Sequence, residues 1–273
     1  MSAEVTRVSP GWLALREPAD AEARARDLVE VLERALPASG PTVIHDLGCG
    51  TGAMGRWLAP LLAGPQHWVL HDRDADLLAL ATAGVPGPAA DGAPVTVETK
   101  RTDIARMHAR DLAGATLIVA SALLDLLTGG ELDRLAGLCK EAGCPVLLTL
   151  SVVGQVEIMP ADPLDRRVAA AFDAHQRRTT ERGGLLGPDA VDFAARAFRR
   201  GGAEVLVQPS HWRLGAARSA LAAEWFTGWV GAACEQEIAL AGQCEPYARR
   251  RLQQASAGEL AVTVDHADLL VLP

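Results

Sequence analysis

A glycine-rich stretch that follows an acid is the part of the sequence best suited to chemistry. It reads DLGCGTGA and runs from Asp46 to Ala53. Glycine lets the backbone approach a ligand closely, so a glycine loop between a strand and a helix can hold an anion or a cofactor. The spacing Gly48-x-Gly50-x-x-Ala53, with Asp72 downstream, also fits the relaxed fingerprint of dinucleotide binding. The loop therefore indicates a cofactor site for which two classes of cofactor compete.

Two acids favour a cofactor that carries positive charge. Asp46 precedes the first glycine by two residues, where its carboxylate would repel the pyrophosphate of NAD and attract an ammonium or a sulfonium. Asp103 follows the third predicted strand and can accept a hydrogen bond from an adenine amino group. As alternatives, Asp72 and Asp103 could cap the helices that follow them, although Asp74 is the better cap candidate beside Asp72.

The elements around these residues alternate between strands and helices. Short apolar runs predict five strands within residues 41–50, 66–72, 94–103, 115–127 and 144–154. Their continuous apolar character is typical of a parallel sheet covered on both faces. Helical periodicity predicts one amphipathic helix over residues 18–37 and another over residues 104–114. Two further strands are predicted at residues 203–212 and 266–273.

In these features the chain resembles the class I S-adenosylmethionine-dependent methyltransferases. The resemblance rests on Asp46-x-Gly48-x-Gly50-x-Gly52, on the later acids and on the apolar strand at residues 266–273. It covers residues 40–152 closely and the final two strands loosely. It implies an α/β, Rossmann-like doubly wound sheet of seven strands in the order 3-2-1-4-5-7-6, with the last strand antiparallel. It also implies S-adenosyl-L-methionine as the cofactor.

The resemblance assigns cofactor contacts by position. The loop would approach the methionine part of the cofactor, with Asp46 beneath it near the ammonium, and Asp72 would accept hydrogen bonds from both ribose hydroxyls. The adenine would lie against Asp103 and its neighbours, and Ser121 would lie beside the transferable methyl. Cys49 is expected to be a small loop residue and not a nucleophile, since it has no ordered base nearby. The cofactor-binding residues expected are Asp46, Gly48, Cys49, Gly50, Gly52, Asp72, Arg73, Asp103, Ile104 and Ser121.

The resemblance also divides the chain. Residues 1–39 are expected to form an N-terminal helical lid, and residues 40–273 a methyltransferase domain whose cofactor half is 40–152. Acceptor-side helical insertions are expected within residues 155–200 and 213–257. This second half is similar to a group of bacterial methyltransferases, a likeness that supplies no acceptor.

His175 is the candidate catalytic residue. One apolar helical stripe is formed by Leu164, Val168, Phe172 and His175. An imidazole on that inward face could take a proton from an acceptor hydroxyl near neutral pH. The alternative is a core histidine bonded to a backbone carbonyl.

Candidate substrate residues come from the added segments and from the end of the fourth strand. They are Asp125, Trp212 and Trp225. Trp225 and Trp229 are four residues apart and share a helix face, so they offer an aromatic wall for an acceptor. Packing in the core is the alternative for these tryptophans.

Composition excludes several classes of partner. The net charge is −8 and no basic run is present, which argues against nucleic acid as a partner. The fourth strand reads VASALLDLL and lacks the Asn/Asp-Pro-Pro-aromatic pattern used to methylate nucleobase or amide nitrogens. No apolar run approaches the roughly 18 residues of a membrane span. Five cysteines without a C-x-x-C pair indicate neither a disulfide framework nor a metal site, so a cytoplasmic setting is expected.

The sequence therefore favours a methyltransferase that moves a methyl group in line from S-adenosylmethionine to a small-molecule acceptor. A catalytically silent S-adenosylmethionine-binding protein is the alternative, and an NAD-dependent dehydrogenase is a more distant one. The acceptor, the methylated atom and the oligomeric state remain open at this point.

Overall fold

A central β-sheet organises the chain in the computed structural model, which describes residues 8–84 and 86–273. The strands are β1 (Thr42–Leu47), β2 (Gln66–Asp72), β3 (Val95–Arg101), β4 (Leu117–Ser121), β5 (Val146–Met159), β6 (Thr179–Thr180), β7 (Gly183–Gly184), β8 (Glu204–Pro209), β9 (Trp212–Leu214) and β10 (Ala261–Leu272). The main sheet has the order β3-β2-β1-β4-β5-β10-β8, with β9 paired to β10. β10 runs antiparallel to β5 and β8, whereas β1 to β5 pair in parallel. With β8 and β10 as sixth and seventh strands, the predicted order and the antiparallel last strand are confirmed.

Two helices precede the sheet where the sequence predicted one over residues 18–37. They are α1 (Pro10–Ala23) and α2 (Arg26–Ala35). The single-helix prediction is wrong because the backbone N–H of Ala25 donates to the carboxylate of Asp268 at 2.8 Å. That long-range bond replaces a helical one, so the chain bends between the two helices.

The remaining helices cover the sheet and extend it on one side. They are α3 (Ala53–Leu58), α4 (Ala75–Ala83), α5 (Gly129–Ala142), α6 (Asp165–Gln176), α7 (Ala190–Arg200), α8 (Ser219–Gln236) and α9 (Ala241–Ser256). α5 begins at a capping box formed by Thr128 and Glu131 and ends at Gly143, which has a φ of 63°. Both end signals lie within a few residues of the helix, so they are visible in the sequence.

The predicted helix over residues 104–114 is a second correction. The segment forms two short 3₁₀ turns, Ile104–Arg106 and Ala109–Leu112. Asp103 and Asp111 each accept a hydrogen bond from a nearby backbone N–H. Each acid thus caps its own short turn, and no continuous helix forms.

The core lies on both faces of the sheet, as a buried parallel sheet requires. One face packs against α2, α3 and α4 around Leu32 and Leu58. The other packs against α5 and α7 around Leu135 and Phe198. A third cluster around Trp229 joins α6, α8 and α9. This helical layer is the added half that the sequence predicted, and it stands beside the end of β5.

Cysteine usage differs from the expectation that no disulfide forms. Cys234 and Cys244 are bonded, with their Cα atoms 6.8 Å apart. The chain reverses between α8 and α9, so the two ends meet although no sequence motif marks them. The three free cysteines, Cys49, Cys139 and Cys144, are buried. In the described part of the chain, no helix combines the length and the apolar character needed to cross a membrane.

Candidate cofactor and acceptor site

The glycine loop leaves the carboxyl end of β1 at the point where the strand order reverses between β1 and β4. Ligands bind at this switch point in open α/β sheets. The N–H groups of Gly48 and Cys49 donate to the carbonyl of His71 at 2.8 and 3.0 Å, which ties the loop to β2. Gly48, Gly50 and Gly52 have φ values of 69°, 54° and 82°, a region that strains other residues. The backbone shape of the loop therefore favours glycine at these three positions.

Asp46 lies beneath this loop and is 1% exposed. Neither of its carboxylate oxygens accepts a hydrogen bond from any residue that the structure describes. Burial raises the pKa of Asp46 to about 7, and the positive charge of Arg24 only partly opposes that effect. A buried carboxylate without a partner is costly. The loop and Asp46 together therefore fit a ligand that brings a cationic donor.

Arg24 is the site residue that sequence reasoning missed. It is 3% exposed at the bend between α1 and α2, and its guanidinium donates to the hydroxyls of Ser121 at 3.2 Å and Thr149 at 3.4 Å. Its Cζ lies 5.1 Å from the ring centroid of Trp57. The Nη1 atom is buried and has no partner among the described residues. Burial lowers the pKa of Arg24, although nearby acids, including Asp46, oppose that effect.

Asp72 occupies the expected position at the end of β2. One of its oxygens accepts the N–H of Gly50 at 3.0 Å, and the other accepts the N–H of Asp74 at 2.9 Å. Asp74 caps α4 through the N–H of Asp76 at 2.9 Å. Asp72 is therefore not the cap of α4, and each carboxylate oxygen keeps a second lone pair that can accept a ligand hydroxyl.

The expected adenine residues lie close to the loop. Asp103 caps the turn that follows it by accepting the N–H of Ala105 at 3.0 Å, and its side chain is 48% exposed. The side chain of Ile104 lies 3.4 Å from where a Cβ on Gly48 would be. Arg73 is exposed, and only its carbonyl makes a hydrogen bond that the structure records among the described residues.

Helix α1 covers the loop. A Cβ on Gly50 would lie 3.2 Å from the side chain of Leu13. Glu17 forms a two-bond ion pair with Arg56, with both distances 2.7 Å, and Arg56 also donates to the carbonyl of Thr51 at 2.6 Å. Of the predicted lid over residues 1–39, residues 1–7 lie outside the described part of the chain. The described part places α1 over the glycine loop.

A cavity of about 190 Å³ brings Asp125 and His175 together. It is lined by Asp125, Leu126, Phe172, His175, Gln176, Arg178, Leu185 and Ala232. The His175 Nε2 lies 3.7 Å from a carboxylate oxygen of Glu235, and burial lowers the pKa of the imidazole.

The two candidate substrate tryptophans lie outside this cavity. Trp212 is 2% exposed, and its indole N–H donates to Asp20 at 2.9 Å. Trp225 stacks on Trp229 with ring centroids 5.3 Å apart, within the α6–α8–α9 cluster. The structure thus joins one of the three candidate substrate residues to His175 and packs the other two into the helical layer.

A larger cavity of about 400 Å³ lies at the opposite edge of the sheet. Thr116, Cys144 and Leu272 are among the residues that line it, near the amino ends of β4 and β5. Its position is far from the carboxyl ends where such sheets bind ligands. Within residues 8–84 and 86–273, no group of three or more His, Cys, Asp or Glu side chains is arranged to hold a metal ion.

The similarity of this chain to known proteins is in its fold. No known protein family and no curated protein matches the sequence. The cyclopropane synthase MmaA2 from Mycobacterium tuberculosis aligns with a TM-score of 0.51 and 14% identity, over 97% of this chain and 94% of that chain. An S-adenosylmethionine-dependent methyltransferase from Geobacter sulfurreducens, in complex with S-adenosyl-L-homocysteine, has a TM-score of 0.46 and 17% identity over 97% and 98% of the two chains. A phosphoethanolamine N-methyltransferase from Haemonchus contortus has a TM-score of 0.46 and 14% identity over 98% and 58%. The strand order and the alignment with MmaA2 show that the chain has the Rossmann-like fold of the class I S-adenosylmethionine-dependent methyltransferases.

Proposed function

We propose that this protein binds S-adenosylmethionine and transfers its methyl group to a small-molecule acceptor. The observation that carries the proposal is Asp46, a buried carboxylate beneath the glycine loop with no hydrogen-bond partner among the described residues. An ammonium on the ligand is the group that would best stabilise such a carboxylate.

Arg24 supplies the complementary half of an amino-acid site. Its unpartnered Nη1 is available to a carboxylate, while its other nitrogens are fixed by Ser121 and Thr149. A carboxylate acceptor below the loop and a guanidinium donor beside it match the two charges of a methionine moiety. Asp72 would hold the ribose hydroxyls, and Asp103 and Ile104 would hold the adenine.

Bound S-adenosylmethionine supplies a methyl group on a sulfonium, from which a neutral thioether leaves readily. The chain's own residues then have to exclude water and align the acceptor. Helix α1, held over the loop by Glu17 and Arg56, is suited to the first task. Asp125 and His175, in the cavity on the acceptor side, are suited to the second.

Asp46 also argues against the alternative of an NAD-dependent dehydrogenase. The pyrophosphate of NAD would face a buried carboxylate and would be repelled. A silent S-adenosylmethionine-binding protein would share the whole cofactor site, so only turnover distinguishes it from an enzyme.

The test is calorimetry with S-adenosylhomocysteine, S-adenosylmethionine and NAD on the wild type, Arg24→Gln and Arg34→Gln. We expect binding of both sulfur compounds and none of NAD. Arg24→Gln should weaken binding about tenfold or more, because a charge-assisted hydrogen bond is lost. Arg34→Gln is the matched control, since Arg34 is exposed on α2 and bonds only the carbonyl of Glu30 among the described residues.

Binding of NAD alone would overturn the proposal. If S-adenosylhomocysteine binds and a metabolite extract takes up no methyl group from labelled S-adenosylmethionine, the silent binding protein is the correct function. Thermal unfolding of each variant confirms that the compared proteins are folded.

A further inference from the structure

The 190 Å³ cavity is connected to the glycine loop by the segment that follows β4. The side chain of Leu123 lies 3.5 Å from where a Cβ on Gly48 would be. Asp125, two residues later, lines the cavity, and two residues span at most about 7 Å. One short segment therefore contacts the loop at Leu123 and the cavity at Asp125.

The wall of the cavity is mostly apolar and partly aromatic. Leu126, Phe172, Leu185 and Ala232 form this part of it. The ring of Phe172 is supported from behind by Trp229, with ring centroids 6.4 Å apart. A flat apolar body packs well against such a wall. The volume is below the about 300–1,000 Å³ usual for drug-sized ligands, which limits the ligand to a small molecule.

Two polar atoms in the wall need donors. The carboxylate of Asp125 accepts no hydrogen bond from another described residue and only one from its own backbone N–H. The Oε1 atom of Gln176 is buried and also has no partner in the described chain. Both atoms are hydrogen-bond acceptors, so they favour a ligand that brings O–H or N–H groups.

The charges around the cavity favour a neutral ligand. Asp125 and Arg178, both in the lining, carry opposite charges that balance each other. Arg16, from α1, also acts on Asp125, but its guanidinium is paired with Asp20 at 2.9 Å. Glu235 faces His175 from outside the lining and is 78% exposed, so solvent screens it. An ammonium ligand would add a net positive charge to this balanced pair, whereas a hydroxyl leaves the balance unchanged.

We propose that this cavity is the acceptor site and that it takes a small phenol, whose hydroxyl donates to Asp125. The proposal rests on the proposed function and adds its substrate class and its proton acceptor. The O–H bond breaks as its proton passes to Asp125, the oxygen uses that electron pair to bond the methyl carbon, and the pair of the breaking carbon–sulfur bond stays on sulfur. Asp125 is thus the catalytic base, Gln176 orients the acceptor, and His175 lines the site beside them.

The acidity of the acceptor group decides which class of acceptor Asp125 can deprotonate. Burial raises the pKa of Asp125 to about 6, which brings this base near the working pH. A phenol, with a pKa of about 10, can yield its proton to such a base as the new bond forms. An aliphatic alcohol is too weak an acid for a carboxylate, and an aliphatic amine is already protonated.

The first experiment measures binding and needs no turnover. The probe is 4-methylphenol, the phenol of a tyrosine side chain, whose hydroxyl stays protonated at neutral pH. It is titrated by calorimetry into protein saturated with S-adenosylhomocysteine, with 4-methylanisole as the analogue that lacks the donor. We expect 4-methylphenol to bind and 4-methylanisole to bind at least tenfold more weakly. Asp125→Asn should weaken 4-methylphenol binding about tenfold and leave S-adenosylhomocysteine affinity unchanged. Asp192→Asn, the same change on the exposed face of α7, should alter neither.

A second variant keeps the test decisive if Asp125→Asn is poorly folded. Leu126 is 44% exposed at the rim of the cavity, so Leu126→Trp fills the entrance without disturbing the core. It should abolish 4-methylphenol binding and retain S-adenosylhomocysteine binding.

Turnover then assigns the base. At saturating S-adenosylmethionine, the rate with 4-methylphenol should rise with pH through about 6 in the wild type and in His175→Gln, and this rise should vanish in Asp125→Asn. Loss of the rise in His175→Gln alone would overturn the role of Asp125. If 4-methylphenol fails to bind while S-adenosylhomocysteine binds, the phenol site is wrong and the cofactor proposal stands. If S-adenosylhomocysteine itself fails to bind, both proposals fall.

Discussion

At the scale of single residues, Asp46 should couple cofactor binding to the loss of a proton. Burial holds the pKa of this carboxyl near 7 in the free protein. An ammonium placed beside it favours the charged form, so its pKa falls on binding and a proton is released at neutral pH. We expect S-adenosylhomocysteine affinity to rise between about pH 6 and 7.

The proton released on binding can be counted from binding heats measured in buffers of different ionisation enthalpy. Asp46→Asn should abolish this proton release. A proton count of zero in the wild type contradicts the ammonium contact.

Asp72 carries a second prediction at this scale. Asp72→Ala would remove the two charge-assisted bonds proposed to the ribose and the bonds that Asp72 accepts from the N–H groups of Gly50 and Asp74. We expect a loss of about 2–4 kcal/mol in cofactor affinity, with Asp72→Asn recovering part of it. Calorimetry with S-adenosylhomocysteine measures this, with Asp192→Ala as the matched control. Unchanged affinity in a folded Asp72→Ala protein would remove the ribose assignment.

His45 and His71 make stability depend on pH. Their rings are 2% and 0% exposed, and Nδ1 of His45 lies 3.0 Å from Nε2 of His71. Burial lowers the pKa of each to about 4. Both are therefore neutral in the folded protein, while the unfolded chain binds protons below about pH 6.5. The free energy of unfolding should fall as the pH drops from about 6.5 to 4, by about 1.4 kcal/mol per histidine for each unit of pKa difference.

Asp46 acts in the opposite direction over a similar range, because its raised pKa lets the folded protein bind a proton that the unfolded chain releases. The histidine effect is therefore measured as a difference between proteins. Urea unfolding at pH 7 and pH 5 should show a smaller loss for His71→Gln than for the wild type. His67→Gln, on an exposed ring, should lose as much as the wild type. Equal losses in all three proteins would contradict the histidine effect.

At the scale of elements, the contact of α1 with the glycine loop should matter more for turnover than for cofactor affinity. The closing contact is the ion pair between Glu17 and Arg56. Glu17→Gln should speed hydrogen exchange in α1 and lower turnover severalfold, with a small change in S-adenosylhomocysteine affinity, because an open lid admits water. Glu30→Gln, exposed on α2, is the control. If exchange in α1 is unchanged, the ion pair does not hold the helix.

Removing the whole predicted lid would be a poor test of the same idea. Helix α2 buries Leu28, Val29 and Leu32 in the core of one sheet face. Deleting residues 1–39 would expose that face, so loss of activity would report unfolding. The boundary between lid and domain is better sought at the bend after α1 than at residue 39.

The sequence locates elements whose signals are local. β1, β2 and β4 each contain a short apolar run, and α5 has its capping box and its terminal glycine within a few residues of the helix. The glycine loop and Asp46 are predicted for the same reason, since their spacing is short. Arg24 could not be predicted in this way. Its place in the site depends on the bend that Asp268 imposes from 243 residues away along the chain.

At the scale of the whole molecule, Asp268 joins distant parts of the chain. It is 1% exposed and accepts hydrogen bonds from Ala25 at 2.8 Å, Leu150 at 2.7 Å and Ser210 at 2.6 Å. Asp268→Asn replaces one acceptor oxygen with a donor that faces other donors. We expect a loss of about 1–3 kcal/mol in the free energy of unfolding, measured in urea, together with weaker cofactor binding through Arg24. Asp265→Asn, in a part-buried pair with His211, is the control. Stability equal to that of the control would mean that Asp268 does not join these segments.

The position of β10 has a consequence for how the chain is made. β10 comes last among the strands, yet it lies inside the sheet, and β8 joins the sheet only through it. While the ribosome is still adding residues, β5 can pair with β4, but its other edge stays open until residues 261–272 emerge. At about 5–20 residues per second, the stretch from residue 159 to 272 takes roughly 6–23 s. During that interval an open edge along β5, which runs from Val146 to Met159, is available to any neighbouring chain. The nascent protein is therefore most exposed to misassociation after β1 to β5 have been made and before β10 follows.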